Sequence, residues 1–72
     1  MNNDIKRVLA DNARLIRTKK RFSQEAVAEM ANVGQNQISD IENANSNPNL
    51  ETIIRIANAL EVPVFELFKP GN

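Results

Sequence analysis

The segment "FSQEAVAEMANVGQNQISDIE", Phe22–Glu42, decides the fold. It holds two short helix patterns with almost nothing between them. Ser23 is placed to accept hydrogen bonds from the amides of a helix that begins at Gln24, and Phe22 and Val27 flank that start at the spacing of a hydrophobic staple. The first helix is expected over 24–31, with Ala28 and Ala31 facing inward. The same signals then repeat at once. Asn32 tolerates the left-handed backbone that closes a helix. Gly34 is an acceptable N-cap, Gln37 can reach back to its amide, and Val33 with Ile38 makes a second staple. A second helix is expected over 35–43, burying Ile38 and Ile41. Only Asn32, Val33 and Gly34 separate the two.

The flanks extend the pattern. Ile5, Val8, Leu9, Ala13 and Ile16 recur at three- and four-residue steps, predicting a helix over 4–20 with these residues on one face. "NANSNPN" (43–49) reads as a loop, rich in Asn, Ser and Pro. Asn49 can cap a helix over 50–60 whose apolar face holds Leu50, Ile53, Ile54, Ala57 and Leu60. Pro63 opens a short helix over 63–68, and 69–72 reads as a frayed tail. No strand pattern, internal repeat or linker appears. The fold class expected is all-α: five short helices around one core, in a single domain over 1–72.

Size and composition narrow the function. With 72 residues, the chain is near the lower limit for a self-sufficient core. It has no Cys and no His, so disulfides, thiolate metal sites and the commonest general base are absent. No metal and no cofactor are expected. The start, "MNNDIKRVLA", lacks the apolar stretch of a signal peptide, and no apolar run reaches membrane-spanning length. A cytoplasmic protein without membrane contact is expected. Nine basic and nine acidic residues cancel, but unevenly. Residues 1–22 carry seven basic and two acidic groups, and residues 23–72 carry two basic and seven acidic. A basic end suits a polyanion or is simply a solvated helix face, and overall neutrality counts against an indiscriminate nucleic-acid coat.

Two short helices joined by a three-residue turn make a helix-turn-helix unit. A helix fits the DNA major groove, and its first exposed residues meet base edges. A Gln or Asn amide can bond adenine at both N6 and N7. Gln35, Asn36 and Gln37 are three such amides at the start of the second helix, where Glu or Lys would serve helix propensity better.

Beyond these signals, "FSQEAVAEMANVGQNQISDIENANSNPNLETIIRIANALEVPVFELF" resembles the lambda-repressor and Cro-type helix-turn-helix domains. The resemblance runs from about Ile5 to Phe68. It rests on "SQE" at 23–25, Ala28, "IS" at 38–39, Glu42, Pro48 with Leu50, and "ALEV" at 59–62. It implies double-stranded DNA as the ligand. It makes Gln35 and Asn36 the first base-reading residues, with Gln37 beside them. Ser39 could meet a base or a phosphate, and the Asp40 carboxylate could either accept from cytosine N4 or repel a misplaced phosphate and so discriminate against wrong sites. Gln24 matches a phosphate contact that also braces the recognition helix. Further phosphate contacts are implied at Asn43, Asn45, Ser46, Asn47 and Asn49. Relatives often place Lys or Arg in that loop, and here the basic residues Arg14, Lys19, Lys20 and Arg21 are the substitutes. With so few cations, little counterion release is expected. Arg17 and Glu42 match an ion pair that ties the first helix to the end of the recognition helix. Two departures stand out: Asn32 and Ala44 occupy positions where relatives usually have glycine. Val64, Phe65 and Phe68 mark an apolar surface near where dimers of the family often form.

The function implied is a sequence-specific transcriptional regulator, a homodimer on a palindromic operator, like phage repressors, restriction–modification controllers or toxin-linked antitoxins. RNA polymerase and a toxin are the other partners this implies. The same fold serving as a protein-interaction module is the alternative. An enzyme is not expected: Thr18, Ser23 and Ser39 have no general base nearby, and no phosphate-binding glycine loop is present.

Overall fold

In a computed structural model that describes residues 3–71, four α-helices and one 3-10 helix follow each other with no strand among the described residues: α1 Asn3–Lys19, α2 Gln24–Ala31, α3 Gln35–Glu42, α4 Leu50–Leu60 and the 3-10 helix Val64–Phe68. The helices start where local chemistry satisfies their free amides. Ser23 Oγ accepts from the Ala26 N–H at 3.0 Å, and Asn49 Oδ1 accepts from the Thr52 N–H at 2.8 Å. Gly34 offers no side chain, so Gln37 Oε1 turns back to accept the Gly34 N–H at 3.2 Å. The fifth element differs from the expected α-helix. After Pro63 the chain tightens into the 3-10 form over five residues, too short for an α-helix to repay its nucleation.

The helix ends share one device. After each of α1 to α4 comes a residue in the left-handed conformation: Arg21, Asn32, Ala44 and Glu61, with φ between 58° and 64°. In each case the N–H of the following residue bonds back to a carbonyl five positions earlier: Phe22 to Arg17, Val33 to Ala28, Asn45 to Asp40 and Val62 to Ala57, at 2.8–3.1 Å. This is the Schellman closure, and it usually carries glycine. Here no glycine serves it. Phe22 and Val33 have a second task, because each is also the apolar residue that precedes the cap of the next helix. One side chain thus closes one helix and opens another, and both pack against the core.

The core is made of Leu9, Ala13, Val27, Ala28, Ala31, Ile38, Ile41, Ile56, Ala57, Leu60 and Leu67. The amphipathic stripes are narrower than the sequence pattern suggests. Ile5 is 52% exposed and Val8 half-buried, because the covered face of α1 is Leu9, Ala10, Asn12 and Ala13, a turn further along. On α4, Leu50 is 67% and Ile54 41% exposed. The buried face there runs through Thr52, Ile56, Ala57 and Leu60, which leaves Leu50 and Ile54 on its edge. Asn12 was invisible to pattern reading. It lies buried, and its Nδ2 donates to the carbonyls of Leu67 at 2.9 Å and Lys69 at 3.1 Å. The start of the tail is therefore fastened to α1 rather than frayed, while Asn72 lies outside the described residues. Every buried side-chain polar atom among the described residues has a hydrogen-bond partner.

Alanine in the left-handed region costs about 1 kcal/mol that glycine does not pay. Ala44→Gly is therefore expected to raise the stability of the protein by about that amount, read as a rise in the urea midpoint at unchanged slope.

Candidate nucleic-acid interface

α3 is held from three sides. Its last residue, Glu42, is buried with its side chain 2% exposed. Arg17 of α1 grips this carboxylate with two parallel bonds, Nε to Oε2 at 2.6 Å and Nη2 to Oε1 at 2.9 Å. The same guanidinium donates through Nη1 to the Phe22 carbonyl at 2.9 Å. Gln24, the first residue of α2, donates Nε2 to Glu42 Oε1 at 3.0 Å. Three helices therefore meet at one carboxylate. Burial alone would raise the Glu42 pKa. The hydrogen bonds from Arg17 and Gln24 and the charges of Arg17 and Arg14 outweigh it, so the pKa ends below the ordinary glutamate value. Arg17 moves the complementary way: the hydrogen bond to Glu42 raises its pKa against the cost of burial.

A brace that the sequence did not suggest acts at the other end of α3. Arg55 of α4 donates Nη1 to the Asn32 carbonyl in the inter-helix turn at 3.4 Å, and its Nη2 is held by Glu51 at 2.8 Å. The one-turn spacing of Glu51 and Arg55 was the only available signal for it.

Held in this way, α3 presents Gln35, Asn36, Gln37 and Asp40 to solvent, with Ser39 half-buried beside them. Gln35, Asn36 and Asp40 make no side-chain hydrogen bond among the described residues, so their polar groups are available to a ligand. Gln37 has its carbonyl oxygen engaged at Gly34, which leaves its amide N–H groups for any outside contact. Gln24 has one amide hydrogen committed to Glu42.

The remaining candidates divide. Asn43 Oδ1 accepts from Arg14 Nη2 at 3.4 Å, and Arg14 Nε lies 3.7 Å from Glu42, so Arg14 and Asn43 sit together at the end of α3. Asn49 spends its carbonyl oxygen on its own helix cap. Asn45 and Asn47 are exposed and Ser46 half-buried in the loop between them. Lys20 instead lies 4.0 Å from Glu61 at the far end of α4, and Arg21 is an exposed cation at the left-handed position after α1. Of the apolar trio near the C-terminus, Val64 and Phe68 pack against the core and Phe65 stands out at 64% exposure.

The geometry so described is that of a helix-turn-helix protein, and the chain belongs to that family: the family model described as helix-turn-helix matches residues 14–67. The control protein C.SmaI of Serratia marcescens is 38% identical over 64 residues, covering 89% of this chain and 76% of that protein. A hypothetical transcription factor of Neisseria meningitidis is 36% identical, and this chain spans 63% of its length. Among solved structures, the transcription factor NHTF from Neisseria superposes with a TM-score of 0.91 at 34% identity, covering 99% of this chain and 82% of that one. The restriction-modification controller C.AhdI from Aeromonas hydrophila superposes with a TM-score of 0.85 at 28% identity, covering 88% and 96%. The function that goes with this membership is DNA-binding transcriptional regulation.

Removing Glu42 strands Arg17 in a mostly covered site, a loss of about 3 kcal/mol. Glu42→Ala is therefore expected to lower the melting temperature by more than about 10 °C, and Glu29→Ala, on the exposed side of α2, hardly at all. Because the folded Glu42 pKa is depressed, its stabilisation is complete above the ordinary value of 4.5 and is lost as pH falls through the lower folded value. The gap between wild type and Glu42→Ala should accordingly narrow in acid, which urea titrations at stepped pH would show.

Proposed function

We propose that the protein is a controller-type regulator that binds an inverted-repeat operator as a homodimer, reading bases with the exposed face of α3. The carrying observation is the row of unengaged amide and carboxylate groups at Gln35, Asn36 and Asp40, on a helix whose two ends are braced by Arg17 and Arg55. Amides offer a donor and an acceptor together and suit adenine; the carboxylate only accepts and suits a base that presents an amino group. Ser39 and the free N–H groups of Gln37 complete the reading face. Gln24, Arg14, Arg21 and the loop residues Asn43, Asn45, Ser46, Asn47 and Asn49 meet the phosphates that flank it. Lys20, beside Glu61, contributes less. Among the roles that the family resemblance implied, the controller role has the similarity to C.SmaI and C.AhdI behind it. RNA polymerase is a fitting further partner for a regulator of this kind; nothing in the site favours a toxin.

Two copies are needed because a single short helix makes too few base contacts for tight binding. Two α3 helices about 34 Å apart would enter successive major grooves on one side of the duplex. Phe65 is the residue that offers itself to a second copy.

Selection of random duplexes by the purified protein should enrich an inverted repeat with half-sites about one helical turn apart. Gln35→Ala should weaken binding to that repeat by about 1–3 kcal/mol and relax preference at one position per half-site. Recovery of no motif by folded protein would overturn the reading. Phe65→Asp is expected to halve the molar mass seen by light scattering while leaving the helical circular dichroism intact.

A further inference from the structure

Asparagine modifies itself when the backbone nitrogen of the next residue attacks its side-chain carbonyl. The reaction needs a free following N–H, a small following side chain and a non-helical backbone. The chain is rich in asparagine, and the structure sorts these residues sharply. Asn12, Asn36 and Asn58 lie within helices, where the next N–H is held in the helical ladder. Asn32 is followed by Val33, whose N–H is bonded to the Ala28 carbonyl. Asn43 is followed by Ala44, whose N–H is bonded to the Ile41 carbonyl at 3.0 Å. Asn47 precedes Pro48, which has no N–H. Asn49 has its side-chain oxygen tied to the Thr52 N–H.

Asn45 is the exception among residues 5–71. It is exposed, its side chain has no partner among the described residues, and it precedes Ser46, a small residue in non-helical backbone. The closure of α3 ends on the Asn45 N–H, so Ser46 is the first loop residue whose own N–H has no backbone or side-chain acceptor. We propose that Asn45 is a self-modification site. The Ser46 nitrogen forms a bond to Asn45 Cγ, ammonia leaves, and the resulting cyclic imide is opened by water to aspartate or to isoaspartate. No oxidant or reductant is required.

The effect on function rests on the DNA reading proposed above. The loop from Asn43 to Asn49 carries no charge. Modification places an anion there, one closure away from Asp40, on the face assigned to phosphate. The isoaspartate form also lengthens the loop backbone by one carbon. Each opposes phosphate contact, so the protein would lose operator affinity with age.

The test is to age the purified full chain in neutral and mildly alkaline buffer and map amide-to-acid conversion by peptide mass spectrometry. Binding to the selected operator is measured on the same samples. Asn45→Gln serves as the resistant control, and Asn45→Asp imitates one product. Conversion should appear first at Asn45, and affinity should fall in step, by about tenfold for fully converted protein and for Asn45→Asp. Asn45→Gln should bind the operator equally before and after ageing, whatever affinity the substitution itself leaves. Earlier conversion at any other asparagine among residues 5–71, or no conversion of the folded chain where the urea-unfolded chain converts, would overturn the site. Conversion at Asn45 without loss of affinity would leave the chemistry standing and remove this loop from the DNA-facing surface.

Discussion

The contact on which the structure depends is the paired hydrogen bond between the Arg17 guanidinium and the Glu42 carboxylate. A charge so well covered is costly unless it is fully satisfied. The planar fork of arginine meets both carboxylate oxygens at once, in a way that a lysine could not. Gln24 and the Phe22 carbonyl complete the set, so the end of α1, the start of α2 and the end of α3 converge at one point. The apolar core beneath consists largely of alanine and branched aliphatic side chains, which pack well but do not by themselves fix the rotation of a two-turn helix. The ion pair supplies that direction. With it, the polar side chains of α3 face outward as a fixed array rather than as a set of alternatives.

The joints between helices act in the same sense. In the stretch that carries the recognition surface, closure and opening are shared by single residues, Phe22 and Val33. The angle between α2 and α3 is thereby set by local backbone chemistry, with the Arg55 bond to the Asn32 carbonyl as an outside strut. Rigidity of this sort lowers the ordering cost of any binding event, because the groups that meet the ligand are already oriented.

What could be read beforehand follows from the range of the interactions. Ser23, Asn49 and the reach of Gln37 to Gly34 involve residues three apart, so residue type and spacing disclose them. The exposed amides of α3 were legible for the same reason, since polar side chains opposite Ile38 and Ile41 must face outward. Asn12 was not legible, because its partners Leu67 and Lys69 lie more than fifty residues away and are backbone carbonyls, which leave no mark in the sequence. The exposure of Ile5, Leu50 and Ile54 escaped for a related reason. Periodicity shows that a helix has an apolar face, but the neighbours decide how much of it they cover. The 3-10 form of the last element was likewise hidden, since Pro63 marks a start and says nothing of pitch. The placing of Lys20 beside Glu61 required the packing of α1 against the rest.

The shared residues at the first two joints have a consequence for how such a protein can vary. An inserted residue after Arg21 or after Asn32 would separate a closure from the staple that uses the same side chain, and both would fail together. The joint after α3 is built differently. Its closing residue, Asn45, is polar and independent of Pro48, the residue before the next cap, so chain can be added or removed between them without disturbing either helix. Of the two joints that flank the recognition helix, only the one after it can change length without breaking a shared closure. A change of loop length there would alter what lies next to the exposed face of α3 while α3 itself stays in register.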